Sequence, residues 1–302
     1  MEDMITGLCP QCGHTLHIPA ELASFSCMYC GARLTKEQLA AELPAAQEAD
    51  EDRAAYYDRA VSRLGWCIKN FGGYQKKIMR DVFFEAFETY ETGCAPVIQE
   101  LARGVAPERQ TQLLGRAAAA MLDELEAGWQ KKGDMEDEKV VLAIFFVPMV
   151  RKQQLPISEE FVTILQKQWV ERYPKSPFYL GDYESISGGF RKKFLGLCFI
   201  TTAVCQELGK PDDCEELTAF RAFRDGYLRS QPDGEALIRE YYNIAPGIVT
   251  CINTCSDRHA SYARIREEYL APCYQDLLAG RNESCKARYV RMVRDLEREY
   301  LS

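Results

Sequence analysis

Histidine is nearly absent, with three residues in a chain of 302, and tryptophan is equally rare. That scarcity leaves few side chains poised for general base chemistry near neutral pH. The familiar catalytic signatures are missing too: there is no HExxH, no phosphate-binding loop, no GxGxxG following a strand and no GxSxG. Excess positive charge is lacking. Lys and Arg number 37 against 45 Asp and Glu, a formal net charge of -8, so the chain has no overall attraction for nucleic acid or anionic membranes. Long apolar runs are also missing. The longest, Val140 to Val150, spans 11 residues and includes Pro148, short of the roughly 18 to 20 that cross a bilayer. It reads as a buried helix. The acidic start, Met1-Glu2-Asp3-Met4, has no basic stretch leading into an apolar one, which predicts a cytoplasmic location.

Hydrophobic residues make up 47% and charged residues 27%, the balance of a folded globular protein. At roughly 150 residues per domain the length suggests two domains. Thirteen cysteines are an odd number in a chain too long to need disulfide staples, so metal binding or burial is expected for each. The densest group lies at the start. Cys9-Pro10-Gln11-Cys12-Gly13 and Cys27-Met28-Tyr29-Cys30-Gly31 are two CxxCG knuckles separated by 14 residues. Two residues between thiols let both sulfurs of one turn reach one metal, and the glycine permits a positive φ. Between the knuckles Thr15-Leu16-His17-Ile18 alternates as a half-buried strand does, and Pro19 ends it. The expected product is a small β-hairpin ribbon in which Cys9, Cys12, Cys27 and Cys30 close a tetrahedral site around one structural zinc ion. His14 and His17 are the alternative ligands, and a redox CxxC pair the alternative chemistry. The apolar set available to the ribbon is Leu8, Leu16, Ile18, Leu22, Phe25 and Leu34, too few to fold it without metal. Arg33 is its sole cation within residues 1–35, so it lacks the basic face of a nucleic-acid ribbon and is expected to touch protein or simply to cap the chain.

The ribbon is assigned to residues 1–38, a linker with the acidic patch Glu48, Asp50, Glu51 and Asp52 to residues 39–52, a central helical domain to 53–182 and a C-terminal helical domain to 183–302. Apolar residues recur at helical spacing: Tyr57, Val61, Leu64 and Ile68, then Ile78, Val82, Phe83, Ala86 and Phe87. Further helices are expected over 107–131, 137–153 and 158–172, with no sustained β pattern. The whole is therefore mainly α, a small β-hairpin ribbon followed by an all-helical body. Phe83, Phe84, Phe87, Phe145 and Phe146 are expected in the core, and Arg191-Lys192-Lys193 on a solvated face.

Residues 198–205 read Cys-Phe-Ile-Thr-Thr-Ala-Val-Cys, followed by Leu208-Gly209-Lys210-Pro211-Asp212-Asp213-Cys214, Phe220-Arg221-Ala222-Phe223-Arg224-Asp225 and Tyr241-Tyr242-Asn243-Ile244-Ala245-Pro246. Together these resemble the bacterial family named for its C-terminal CFI box, over residues 183–302, and a ribbon followed by helices is similar to one architecture of its members. The resemblance implies a bacterial origin and carries no particular activity. Some members have Ser-Pro where this chain has Ala245-Pro246, which removes that hydroxyl here.

Read by their chemistry, the residues of the box suggest a helix over 214–229, capped by Asp213 with Glu216, that places Cys214 in a first turn favouring thiolate. Arg221 and Asp225, four apart, are expected to pair and leave Arg224 to find another partner. Pro246 is expected at the first position of a further helix, and Pro272–Leu278 with Cys285–Leu301 to form a helical hairpin. Cys198 and Cys205, seven apart, would share a face. Thr201, Thr202, Arg221, Arg224, Asp225, Tyr241 and Tyr242 form either a buried ion-pair network or the wall of a polar pocket. Cys251, Cys255 and His259 would supply a second metal site if one helix carries all three, and His259 is the one histidine available as a base for a Cys214 nucleophile. With a closed metal site and no complete catalytic set, the sequence favours a non-enzymatic adaptor that binds a protein partner. The alternative is an enzyme or ligand sensor with its site at Cys198, Cys214, Arg221 and Arg224.

Overall fold

The structure, a computed structural model, describes residues 4–10, 15–39, 46–191 and 198–302. Its N-terminal module consists of two antiparallel hairpins: β1 (Met4–Leu8) pairs with β2 (Thr15–Pro19) so that Ile5 faces Ile18, and β3 (Ser24–Ser26) pairs with β4 (Arg33–Thr35) so that Phe25 faces Leu34. The alternation predicted for β2 holds, with Leu16 and Ile18 buried and His17 exposed. A separate small core gathers Leu16, Ile18, Leu34 and the thiols Cys9 and Cys27. Two apolar positions depart from expectation. Leu22 is 42% exposed, and Leu39, assigned to the linker, is buried in its place at the end of a short helix, Lys36–Leu39. Gly7 makes that possible, because a Cβ there would lie 2.8 Å from the Leu39 carbonyl oxygen. Residues 40–45 of the linker lie outside the described residues, and from Ala46 onward the chain is helical.

The body is a stack of helices around one continuous hydrophobic core that runs from Ala60 to Leu301 and crosses the boundary expected at 182/183 without a seam. Helix α1 (Ala46–Leu64) lies along α2 (Phe83–Gly104). The crossing is close enough that a Cβ on Gly104 would meet the Tyr57 backbone nitrogen at 2.3 Å. The stretch expected over 107–131 begins with a 3-10 turn, Pro107–Arg109, and continues as α3 (Gln110–Gly128). The stretch expected over 137–153 divides into α4 (Lys132–Val141), a π-turn (Leu142–Phe146) and α5 (Val147–Lys152), while α6 (Ser158–Arg172) spans the residues predicted. Phe83, Phe87, Phe145 and Phe146 are core residues, with Phe83 stacked on Phe190 at 4.2 Å between ring centroids. Phe84 is not. It is 36% exposed and lies under the Arg191 guanidinium. Lys192 and Lys193 lie outside the described residues.

The C-terminal part comprises α7 (Tyr183–Arg191), α8 (Phe199–Glu207), α9 (Glu215–Phe223), α10 (Gly234–Cys255), α11 (Arg258–Ile265), α12 (Ala271–Leu278) and α13 (Asn282–Tyr300). Two more π-turns, Arg224–Leu228 and Arg266–Leu270, follow α9 and α11. With its π-turn, α9 runs unbroken from Glu215 to Leu228, close to the 214–229 expected. Cys214 is its N-cap residue, not part of its first turn, and Glu216 pairs with Lys210 and not with an Asp213 cap. Pro246 lies inside α10, twelve residues from its start, and not at a helix beginning. No described helix is long and apolar enough to cross a membrane.

Candidate functional site

Three of the four predicted thiols converge. Cys9 follows β1, Cys27 follows β3, and Cys30 sits in the turn before β4. The three sulfurs lie within 4.8 Å of one another, with 3.7 Å between those of Cys9 and Cys30. Sulfurs bound at about 2.3 Å to a tetrahedral metal stand about 3.8 Å apart, so this spacing fits a metal ion directly. The local backbone explains the convergence. Gly31 takes a φ of +74°, its N–H donates to the Cys27 carbonyl, and the Cys27 N–H donates to the Ala32 carbonyl, closing the knuckle. Cys9 and Cys27 are buried and Cys30 is exposed. Cys12 and His14 lie outside the described residues. His17 faces away from the cluster and shares a 2.8 Å hydrogen bond between its Nδ1 and Thr6 Oγ1. A Cys9–Cys27–Cys30 group able to hold a metal ion is the chemical centre of the N-terminal module.

The second candidate, in the C-terminal box, resolves into distinct contact sets. Arg224 is buried at the start of its π-turn. It holds Asp225 with two bonds, Nε to Oδ1 at 2.8 Å and Nη2 to Oδ2 at 2.6 Å, and Nη1 donates to the Tyr242 hydroxyl at 2.9 Å and to Cys198 Sγ at 3.6 Å. Asp225 is thus the partner of Arg224 and not of Arg221. Arg221 turns the other way, onto the Asp212 carbonyl at 2.7 Å and carboxylate at 2.8 Å. The Arg224 guanidinium holds the Asp225 carboxyl below the usual carboxylate range, while burial pushes the Cys198 thiol and the Tyr242 phenol up. Next to this pair, the Tyr241 hydroxyl accepts the Ile200 N–H at 3.0 Å, and Thr201 Oγ1 and the Tyr289 hydroxyl lie 3.2 Å apart. Thr202 is half-buried, and its Oγ1 makes no hydrogen bond to a described residue.

Cys198, Arg224 and Tyr241 line a small, partly open pocket of about 60 Å3 between α9, its π-turn, α10 and α13. Most of that wall was not identified from the sequence. Tyr289 and Val293 sit on α13, where the spacing of Tyr289, Met292, Val293 and Leu296 is the amphipathic signal that could have revealed it.

The remaining thiol candidates separate. Cys205 is buried and Cys214 half-buried, their sulfurs 3.9 Å apart. His259 is 80% exposed and its ring lies 3.4 Å from Glu207, so Cys214 and His259 have different partners and form no observed dyad. Cys251 and Cys255 are buried on α10, which ends at Cys255 with Ser256 extended, so His259 begins a new helix and the three residues do not share a face. They form no metal-ligating group among the described residues. Cys251 donates instead to the Tyr300 carbonyl at 3.6 Å.

Burial pushes the Cys205 and Cys255 thiols up to about 12. Thiolate is the nucleophile, so such groups are about 0.01% reactive form at pH 8 and about 1% at pH 10. Iodoacetamide at pH 8 is therefore expected to label Cys214 first among the thiols of the body, with Cys205 and Cys255 at least about tenfold slower until denaturant is added. Peptide mass mapping over time reads this directly, and even labelling of all three in the folded protein contradicts it.

No family model matches the chain, and comparison with curated proteins and with solved structures finds no match.

Proposed function

We propose that Cys9, Cys12, Cys27 and Cys30 hold one zinc ion in a closed four-thiolate site that folds the ribbon, and that the protein is a cytoplasmic adaptor, bacterial in origin, that binds another protein chain through this ribbon. Four thiolates suit zinc, and a closed shell leaves no position for a reactive water, so the metal's role is structural. The observation that carries the partner reading is the ribbon's surface. Of the nine exposed large hydrophobic side chains among the described residues, four belong to it: Met4, Leu22, Met28 and Tyr29. Met28 is 81% and Tyr29 56% exposed, both on the knuckle between two ligands, where a metal would make the backbone rigid and reduce the entropy lost on binding. Methionine and tyrosine are also residue types enriched at the centre of protein interfaces. The alternative, a thiol site at Cys198, Cys214, Arg221 and Arg224, has less support, because the contacts of these side chains fall into separate sets.

Native mass spectrometry of the protein taken from its own cells tests the reading. The expected spectrum holds one zinc and a bound chain. Met28→Glu with Tyr29→Glu should keep the zinc and weaken the bound chain by about 2 kcal/mol or more, roughly thirtyfold in Kd. Cys27→Ser should lose both. A double variant that keeps its partner, or a wild-type protein that carries zinc and no second chain, would overturn the adaptor.

A further inference from the structure

We infer that the cavity between the 3-10 turn Tyr74–Lys77, α4 and the ends of α10 and α13 binds a small organic cation, N–H donors on a short apolar chain. This goes beyond the adaptor reading and does not depend on the ribbon. The space measures about 210 Å3. A lone buried water needs about 10 to 15 Å3, so the room exceeds what hydrating one side chain takes. It is smaller than the roughly 300 Å3 and more of drug-sized sites, which limits the ligand to a short molecule. Its wall holds an unmet demand. Gln75 is only 6% exposed and lines the cavity, yet its Oε1 accepts no hydrogen bond from a described residue. A buried amide oxygen without a donor is costly and calls for one from a bound molecule.

Water would meet that oxygen alone; the groups around it select a cation. Lys139, 4% exposed, is already neutralised, because its Nζ pairs with Glu136 and donates to Ser176 Oγ at 2.7 Å. Glu299 is likewise matched, with both oxygens accepting from Arg264 Nη2 at 2.6 and 2.8 Å. Asp137 has no such match. Lys76 and Lys131 act on it from a distance, but it makes no ion pair or hydrogen bond among the described residues. Burial and the neighbouring Asp134 push its carboxyl up, a shift that a bound cation would oppose. Helices α10 and α13, of 22 and 19 residues, both end at the cavity, where Cys255 and Tyr300 line it, and the negative ends of their dipoles favour positive charge. Cys251 and Cys255, kept as neutral thiols by burial, and Val140 give the chain of such a ligand an apolar side.

The test is isothermal titration calorimetry of the full-length protein, in about 150 mM salt to screen surface charge, with butylguanidine, its neutral isostere butylurea, and pentanoate. Saturable binding of one butylguanidine per chain is expected, with a Kd of about 1 mM or tighter, butylurea at least about tenfold weaker and pentanoate giving no binding heat. Asp137→Asn, at an exposed position, should weaken butylguanidine about tenfold with the thermal midpoint retained. Gln75→Leu should weaken it at least as much while keeping or raising the midpoint, because it removes an unpartnered oxygen, whereas loss of a merely structural glutamine would lower the midpoint. Butylurea binding as tightly as butylguanidine, heat that does not saturate, or an affinity unchanged in both variants would each overturn the assignment, the last leaving the cavity to water.

Discussion

Removing the metal with a strong thiol-competing chelator is expected to unfold residues 4–39 and leave the helical body folded. The ribbon has its own small core of six buried residues, two of them the candidate ligands Cys9 and Cys27. Without a metal those buried thiols are a weak substitute for aliphatic packing, and four apolar side chains cannot offset the ordering of more than thirty residues. The proposed four-thiolate site would contribute about 10 to 16 kcal/mol, apparent at neutral pH, against a core of only four apolar side chains. The body does not share that dependence, because its core begins at Ala60 and includes no ribbon residue. Trypsin is the appropriate probe. After chelation Arg33 and Lys36 should become cleavable while far-ultraviolet helicity and the thermal midpoint of the body change little. Cys27→Ser should reproduce this pattern in the presence of excess zinc. If the ribbon stays protected after the metal is gone, packing and not coordination holds it; if the body melts with it, the two cores are coupled.

Part of the N-terminal module was legible, because strand β2 and the second CxxCG knuckle carry local signals. A period of two placed Leu16 and Ile18 inward and His17 outward, and the CxxCG spacing placed Gly31 in a left-handed turn. Which apolar residue closes the small core was not legible. Leu22 and Leu39 are equally hydrophobic, and the choice depends on Gly7 letting a helix approach β1, a contact between positions 32 residues apart in the chain. In the C-terminal box the residue types were identified correctly and their partners were not. The pairing of Arg221 with Asp225 assumes an unbroken 3.6-residue period, but a π-turn begins at Arg224 and shifts the phase of everything after it. Arg224 then reaches its own neighbour Asp225, and Arg221 takes Asp212 from the preceding loop. Two thiols and a histidine with metal-like spacing, Cys251, Cys255 and His259, likewise meant little once α10 ended at Cys255.

Gly247→Ala is expected to destabilise the body by about 3 kcal/mol, at the upper end of overpacking effects, and to lower the thermal midpoint by about 6 to 12 °C. The reason is the same feature that made Pro246 misleading in the sequence. Inside α10 this proline has no N–H to give the Tyr242 carbonyl, and the loop around Ile78 meets the helix at this point. The loop bonds to the nearby residue Asn243. Arg80 N–H donates to the Asn243 carbonyl at 3.0 Å, and Asp81 N–H donates to Asn243 Oδ1 at 3.1 Å. Gly247 completes the seat, since a Cβ there would stand 1.8 Å from the Ile78 carbonyl oxygen, a backbone atom that cannot swing aside. Elsewhere the same substitution should act in the opposite direction. Gly188 lies in α7 with nothing within 4 Å of its added Cβ, and Gly188→Ala should raise the midpoint slightly through the lower entropy of the unfolded chain. Calorimetry on the two variants separates a general helix effect from this contact: a midpoint lowered only by Gly247→Ala shows that the loop around Ile78 is held rigidly against α10 at Asn243 and Gly247, whereas equal midpoints would show that the loop yields.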